Sequence, residues 1–238
     1  MQLFLHEKHA FENDAEIRIM GLGGDTCIEL WDGSFTEISC ACRGMVVKVA
    51  SGGEAVIECV LKTCYTKGYH DGDTFCICDL EKLCSGIPSK QKKTNRGKLR
   101  VVMSAWHPLL LPSRLKPNSD RFVFARDEAT AKMGDVDDFE YVMTYDLVLS
   151  THTSRFVSLG GGVYAATFGH NVTHNTVVAH PFFGTDKVIH ALKRFSSYTR
   201  NGHVALNCGQ YIRDPVMGTV NGIQSHERSK WKANCSVQ

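Results

Sequence analysis

At 238 residues, with 43% hydrophobic and 22% charged, the chain is long enough to build a normal core and is not composed like a disordered segment. Its formal net charge of +2 excludes a global field that would make nucleic acid or an anionic membrane the main partner. Met1 to Met20 interleave Glu7, Lys8, Glu12, Asp14 and Glu16 with apolar positions, so no signal-peptide core is present, and no later stretch reaches the length of a membrane span.

These features predict a soluble, cytoplasmic protein whose ten cysteines are reduced and mostly buried. In chain order, Thr26 to Trp31 alternates, turns at Asp32-Gly33 and returns through Phe35 to Ile38, the pattern of a hairpin. Gly44 to Val49 and Ala55 to Thr63 are further β-rich runs. The segment from Ser89 to Arg100 holds Lys90, Lys92, Lys93, Arg96, Lys98 and Arg100 and no acid. It reads as a solvated loop, with an anion or nucleic-acid patch as the other reading. Leu99 to Met103 is a strand that leads into Ser104-Ala105-Trp106-His107-Pro108, and Arg121 to Phe124 is its expected hairpin partner.

An acidic turn at Asp135 to Glu140 precedes a strand from Tyr141 to Leu149. Gly160-Gly161-Gly162 interrupts the pattern before Val163 to Phe168 resumes it. Asp186 to Tyr198 then places Val188, Ile189, Ala191, Leu192 and Phe195 on one helical face, with Thr185 available as N-cap. The tail from Lys230 carries no packing signal.

The order of short motifs resembles the Hint domain, the self-processing fold of inteins and hedgehog C-terminal segments. Gly21-Leu22-Gly23-Gly24-Asp25-Thr26 with Leu30-Trp31-Asp32-Gly33-Ser34 resembles its opening, normally a cysteine, two residues and Gly-Asp. Ser104-Ala105-Trp106-His107 resembles the second block, with serine in place of threonine. Tyr145-Asp146-Leu147-Val148-Leu149 is similar to the third, and Gly162-Val163-Tyr164 through Gly169-His170 to the last strand and its histidine. Val177 to Thr185, Arg213-Asp214-Pro215 and Ala55 to Thr63 are similar to the subgroup at the C-terminus of von Willebrand factor A domain proteins.

The resemblance implies a mainly β, horseshoe-like Hint fold with a small C-terminal α/β appendage. Residues 1–20 would be the remnant of an upstream segment, 21–176 the core, and 177–238 an appendage with one helix. The implied partner is the chain's own upstream segment, with a von Willebrand factor A domain in cis. No nucleic acid, membrane, cofactor or metal is implied.

The implied reaction is autoproteolysis or splicing through an N-to-S acyl shift, in which a cysteine thiol attacks the carbonyl before it. Carried over by position, His107 would protonate the scissile nitrogen, since a histidine titrates near neutral pH. The Ser104 hydroxyl would bond the same peptide, Asp146 would orient groups or act as acid or base, and His170 would polarise the carbonyl. The nucleophile position falls on Gly21, after Met20, and glycine has no side chain with which to attack. The domain is therefore expected to be inactive or trapped as written, and Gly21→Cys is expected to restore cleavage at Met20-Gly21.

Other readings stay open. Cys27 lies nearby but beyond the turn, and His170-Asn171 or His174-Asn175-Thr176 could imitate the His-Asn that ends an intein. The domain could also be a degenerate Hint scaffold serving as a binding module. A zinc or redox module would draw on Cys40, Cys42, Cys59, Cys64, His70, Cys76, Cys78 and Cys84. Both close cysteine pairs, however, have one intervening residue, and Cys76-Ile77-Cys78 in a strand would put both thiols on one face, which also suits a packed core.

Overall fold

Runs of β-branched and aromatic residues cut by turn residues give strands through most of the chain. The computed structural model describes residues 20–66, 74–83, 100–112, 120–128, 132–135, 141–150 and 155–225. The basic segment up to Leu99, His70, Cys84 and the tail from Lys230 lie outside them. The strands before the first long loop are β1 (Leu22–Gly23), β2 (Cys27–Glu29), β3 (Phe35–Glu37), β4 (Val46–Lys48), β5 (Glu54–Thr66) and β6 (Thr74–Asp79). They are followed by β7 (Arg100–Ser104), β8 (Pro108–Pro112), β9 (Asp120–Phe124), β10 (Lys132–Asp135), β11 (Tyr141–Leu149), β12 (Phe156–Gly160) and β13 (Val163–Ala166). The C-terminal part adds β14 (His203–Asn207), β15 (Tyr211–Arg213) and β16 (Val220–Ile223). Helices are short: α1 (Leu80–Leu83), α2 (Asp186–Leu192) and α3 (Ser196–Asn201). The chain is thus mainly β with a small helical appendage, as its sequence implied.

The largest sheet has the order β10-β6-β7-β1-β11-β5-β14, with β4 on the N-terminal part of β5. Its shortest strand, β1, is central: Leu22 stands opposite Met103 of β7 on one side and Tyr145 of β11 on the other. The residues just before β1 are thereby held in the middle of the molecule. β11 pairs antiparallel with β5 along nearly its whole length, and β14 pairs with β5 in parallel. A second sheet has the order β12-β13-β8-β9.

Strand alternation behaves as expected at β6, where Cys76 and Cys78 are buried while Ile77 is exposed. Burial pushes their thiols up, to about 11 and about 12, as it suits small core residues. Among the described residues no three His, Cys, Asp or Glu side chains gather as a metal group.

Two expectations are corrected. Arg121 to Phe124 pairs with Leu109 and its neighbours in β8, not with β7, whose partners are β6 and β1. The chain turns a corner between Ser104 and His107 and leaves the first sheet, so the strand after that corner is the one that meets β9. The helix expected over 186–198 is two helices, the second beginning at Ser196 after an extended Phe195. Thr185 precedes α2 but makes no capping bond; its hydroxyl donates to the Pro181 and Phe182 carbonyls.

The appendage is packed into the core. Met20, Leu61, Val148 and Phe168 form one buried cluster with Phe183, Val188, Leu192 and Val204. No helix among the described residues is long and apolar enough to cross a membrane.

Candidate functional site

The corner between β7 and β8 builds the first part of the site. His107 N–H donates to the Ser104 carbonyl at 3.0 Å, closing a tight turn. Outside it, the Arg126 guanidinium lies 3.2 Å from the centre of the Trp106 ring, and Trp106 meets Phe124 edge-on at 5.3 Å. The Ala125 and Arg126 N–H groups donate to the carbonyls of His107 and Ala105. These contacts fix His107, which is fully buried.

Its imidazole faces the residue before β1. The Gly21 N–H donates to His107 Nδ1 at 3.0 Å, across 86 residues of sequence. A nitrogen that accepts carries no proton, so the neutral ring is protonated on Nε2. Nε2 is buried without a well-formed hydrogen bond. Burial pushes the imidazole down to about 3; the Ala166 backbone opposes the shift, and nearby His170 adds to it. The ring is therefore uncharged near neutral pH, with a lone pair directed at the Met20-Gly21 amide nitrogen. The Gly21 carbonyl accepts from the Ser104 N–H at 2.9 Å. Gly21 is thus anchored at both ends by one turn, and the contact from Ser104 runs through its backbone.

β11 supplies a second wall. Thr144 and Asp146, two apart, project from the same face, and both are buried. Across β5 they stand opposite Thr63 and Leu61. Neither Asp146 oxygen has a hydrogen-bond partner, and burial raises its carboxyl to about 8, so it is mostly protonated at neutral pH. The appendage reaches this face through Tyr211, whose hydroxyl lies 3.0 Å from Thr63 Oγ1. Burial, and then the Asp146 charge, push the Tyr211 phenol up.

His170 stands after β13, where the Phe168 N–H donates to the Leu147 carbonyl at 2.9 Å and ties the loop to β11. Its Nδ1 accepts from the Val172 N–H at 3.1 Å, while Nε2 is buried and unpartnered. Burial, then the Arg155 guanidinium, lowers it to about 4. Of the residues singled out from sequence, His107 and Ser104 touch Gly21. Asp146 and His170 are buried with unsatisfied atoms, and neither is hydrogen-bonded to Gly21 or His107.

The other readings fall elsewhere in the fold. Cys27 belongs to the β2–β3 hairpin, its thiol 3.9 Å from the Asp25 carbonyl. Asn171 donates to Asp186, and Asn175 accepts from the Val177 N–H in a local turn.

Gly21 itself has φ +154, where L side chains are strained because Cβ swings towards the preceding carbonyl. A Cβ there would lie 2.5 Å from both Cβ and Oγ1 of Thr144. A cysteine therefore fits at residue 21 only if Thr144 or the backbone moves. Thr144 is the site residue that sequence reasoning missed. Its one legible signal was its place two residues before Asp146, on the same face of a strand.

Among solved structures, the chain is similar to the gp41-1 intein, with 11% identity and a TM-score of 0.37, covering 63% of this chain and 99% of that one. It is also similar to the MchDnaB-1 intein, with 13% identity and a TM-score of 0.35, covering 61% of this chain and 99% of that one. No curated protein matches. Residues 21–222 match the Vint family, described as a Hint-domain, and that span begins at the glycine held by His107. The chain belongs to the Vint family of Hint domains.

Proposed function

We propose that this domain is a self-processing site aimed at its own Met20-Gly21 peptide, with thiol chemistry closed at residue 21. The observation that carries the reading is the buried hydrogen bond from the Gly21 N–H to His107 Nδ1 at 3.0 Å. A neutral imidazole on the scissile nitrogen can deliver a proton to that nitrogen as it leaves, once the ring has taken one from an attacking group. Asp146, protonated by burial, is a second proton source in the same buried region, and His170 a second neutral base. The thiol route lacks a side chain at Gly21 and lacks room for one beside Thr144.

The partner in this reading is the upstream segment ending at Met20. The motifs at Val177 to Thr185 and Arg213 to Pro215 support the subgroup that follows a von Willebrand factor A domain in cis. Cys40, Cys42, Cys59 and Cys78 are free thiols, which supports a reducing compartment such as the cytoplasm.

The test restores both the nucleophile and its space. Gly21→Cys with Thr144→Gly, incubated with a small thiol, is expected to release residues 1–20 as their thioester or acid, read by intact mass. Adding His107→Ala is expected to slow release at least tenfold. A double variant that folds and stays whole would favour the scaffold reading, in which the glycine and the filled space mark a site given over to binding.

A further inference from the structure

The Thr144 hydroxyl is buried, has no hydrogen-bond partner and borders the place that the missing side chain would occupy. An orphan hydroxyl is unusual in a core, where valine would fill the same volume without leaving a polar atom unsatisfied. A strand favours a β-branched residue, which valine would supply without the oxygen. We propose that Thr144 Oγ1 is the nucleophile that replaces the absent residue-21 side chain, with His107 carrying the proton. The inference rests on the reading that Met20-Gly21 is the processed bond.

The geometry points there in two steps. An added Cβ on Gly21 would lie 2.5 Å from Thr144 Oγ1, so the oxygen stands directly against the position from which a residue-21 side chain would grow. At φ +154 this Cβ turns towards the Met20 carbonyl carbon, so the side of Gly21 on which Thr144 Oγ1 stands is the side facing that carbon. Thr144 is held in place by its strand, standing opposite Gly23 of β1 and Thr63 of β5. The attack therefore comes from a neighbouring strand to the bond before β1.

In the step itself, His107 Nδ1 exchanges its hydrogen bond from the Gly21 N–H for one from the Thr144 hydroxyl and takes the hydroxyl proton. The Oγ1–C bond forms at the Met20 carbonyl carbon. The C–N bond breaks with its electron pair on the Gly21 nitrogen, which receives the proton from Nδ1 and becomes an amine. The product is an ester between the Met20 acyl group and Thr144. Water then adds its hydroxyl to that carbonyl and returns a proton to Oγ1, so one water is consumed for one peptide bond.

The experiment incubates the full wild-type chain with hydroxylamine at neutral pH and follows intact mass. Residues 1–20 are expected as the Met20 hydroxamate, with a partner fragment beginning at Gly21. Thr144→Ser is expected to stay within tenfold of wild type. Thr144→Val, shown by circular dichroism to be folded, is expected to lose release at least a hundredfold. A wild-type chain that yields no hydroxamate, or a Thr144→Val chain that is cut as fast as wild type, overturns the role of Thr144. If the wild type stays whole while Gly21→Cys/Thr144→Gly releases the same segment with thiol, Thr144 is not the nucleophile and the processing site stands. If neither is cut, both readings fail.

Discussion

A carboxyl group in the core with both oxygens unsatisfied is expensive, and Asp146 tolerates its position by holding its proton. Its folded value of about 8 stands above the ordinary 3.8, so its contribution to stability is complete below 3.8 and is lost as pH rises through about 8. The loss is at most about 1.4 kcal/mol per pH unit across that window. His107 and His170 act oppositely: their lowered values withdraw stability as pH falls below the ordinary 6.5. Comparison with Asp146→Asn cancels the histidines. The wild type is expected to lose unfolding temperature relative to Asp146→Asn between pH 5 and 8; curves that stay parallel would contradict a buried protonated Asp146. At this scale much of the site was legible. A carboxylate inside the apolar run from Tyr145 to Leu149 announces a special environment, and the motif at His107 pointed to the imidazole that accepts from the Gly21 N–H. Thr144 was hidden because threonine in a strand is ordinary, and only coordinates reveal that its hydroxyl lacks a partner beside Gly21.

The elements that carry these residues are held by turns more than by long ladders. β1 is two residues long, and the bond before it owes its place to the Ser104–His107 corner. The loop bearing His170 depends likewise on Gly169, whose φ of +68 is the left-handed conformation. A Cβ there would lie 2.6 Å from Ile189 Cδ1 and 2.9 Å from Arg155 Nη1, the guanidinium that also bonds the Gly169 carbonyl and Asp186. Gly169→Ala is expected to cost about 1–2 kcal/mol from backbone strain, read as a lower unfolding temperature; unchanged stability would mean that the loop is not fixed as drawn. The hairpin at Asp32-Gly33 was legible because its turn chemistry and both strands are adjacent in sequence. The β8–β9 pairing was not, because the corner at His107 diverts the chain between sheets without glycine or a proline break before it. The helix from 186 to 198 fails as one piece because Phe195 is buried in an extended conformation and Ser196 begins a new helix.

At the scale of the molecule, the division at residue 176 is a boundary of motifs and not of packing. His203 to Asn207 alternates exposed and buried residues, a strand signal present in the sequence. Its partner, however, is β5, whose Val60 stands opposite His203 with three helices and most of the first sheet intervening in the chain. No local pattern encodes a parallel pairing of that range. β14 covers the edge of β5, and α2 covers Leu61, Val148 and Phe168. A chain ending at Thr176 would leave that edge and that apolar surface in water, the situation that favours aggregation. Tyr211 would also leave Thr63, uncovering the face that bears Thr144 and Asp146. The full chain is therefore expected to unfold in one calorimetric transition, and residues 1–176 expressed alone are expected to be insoluble or to lack a cooperative transition. A soluble 1–176 that melts cooperatively would make the appendage a separable cover over the site, and processing at Met20-Gly21 should then survive its removal.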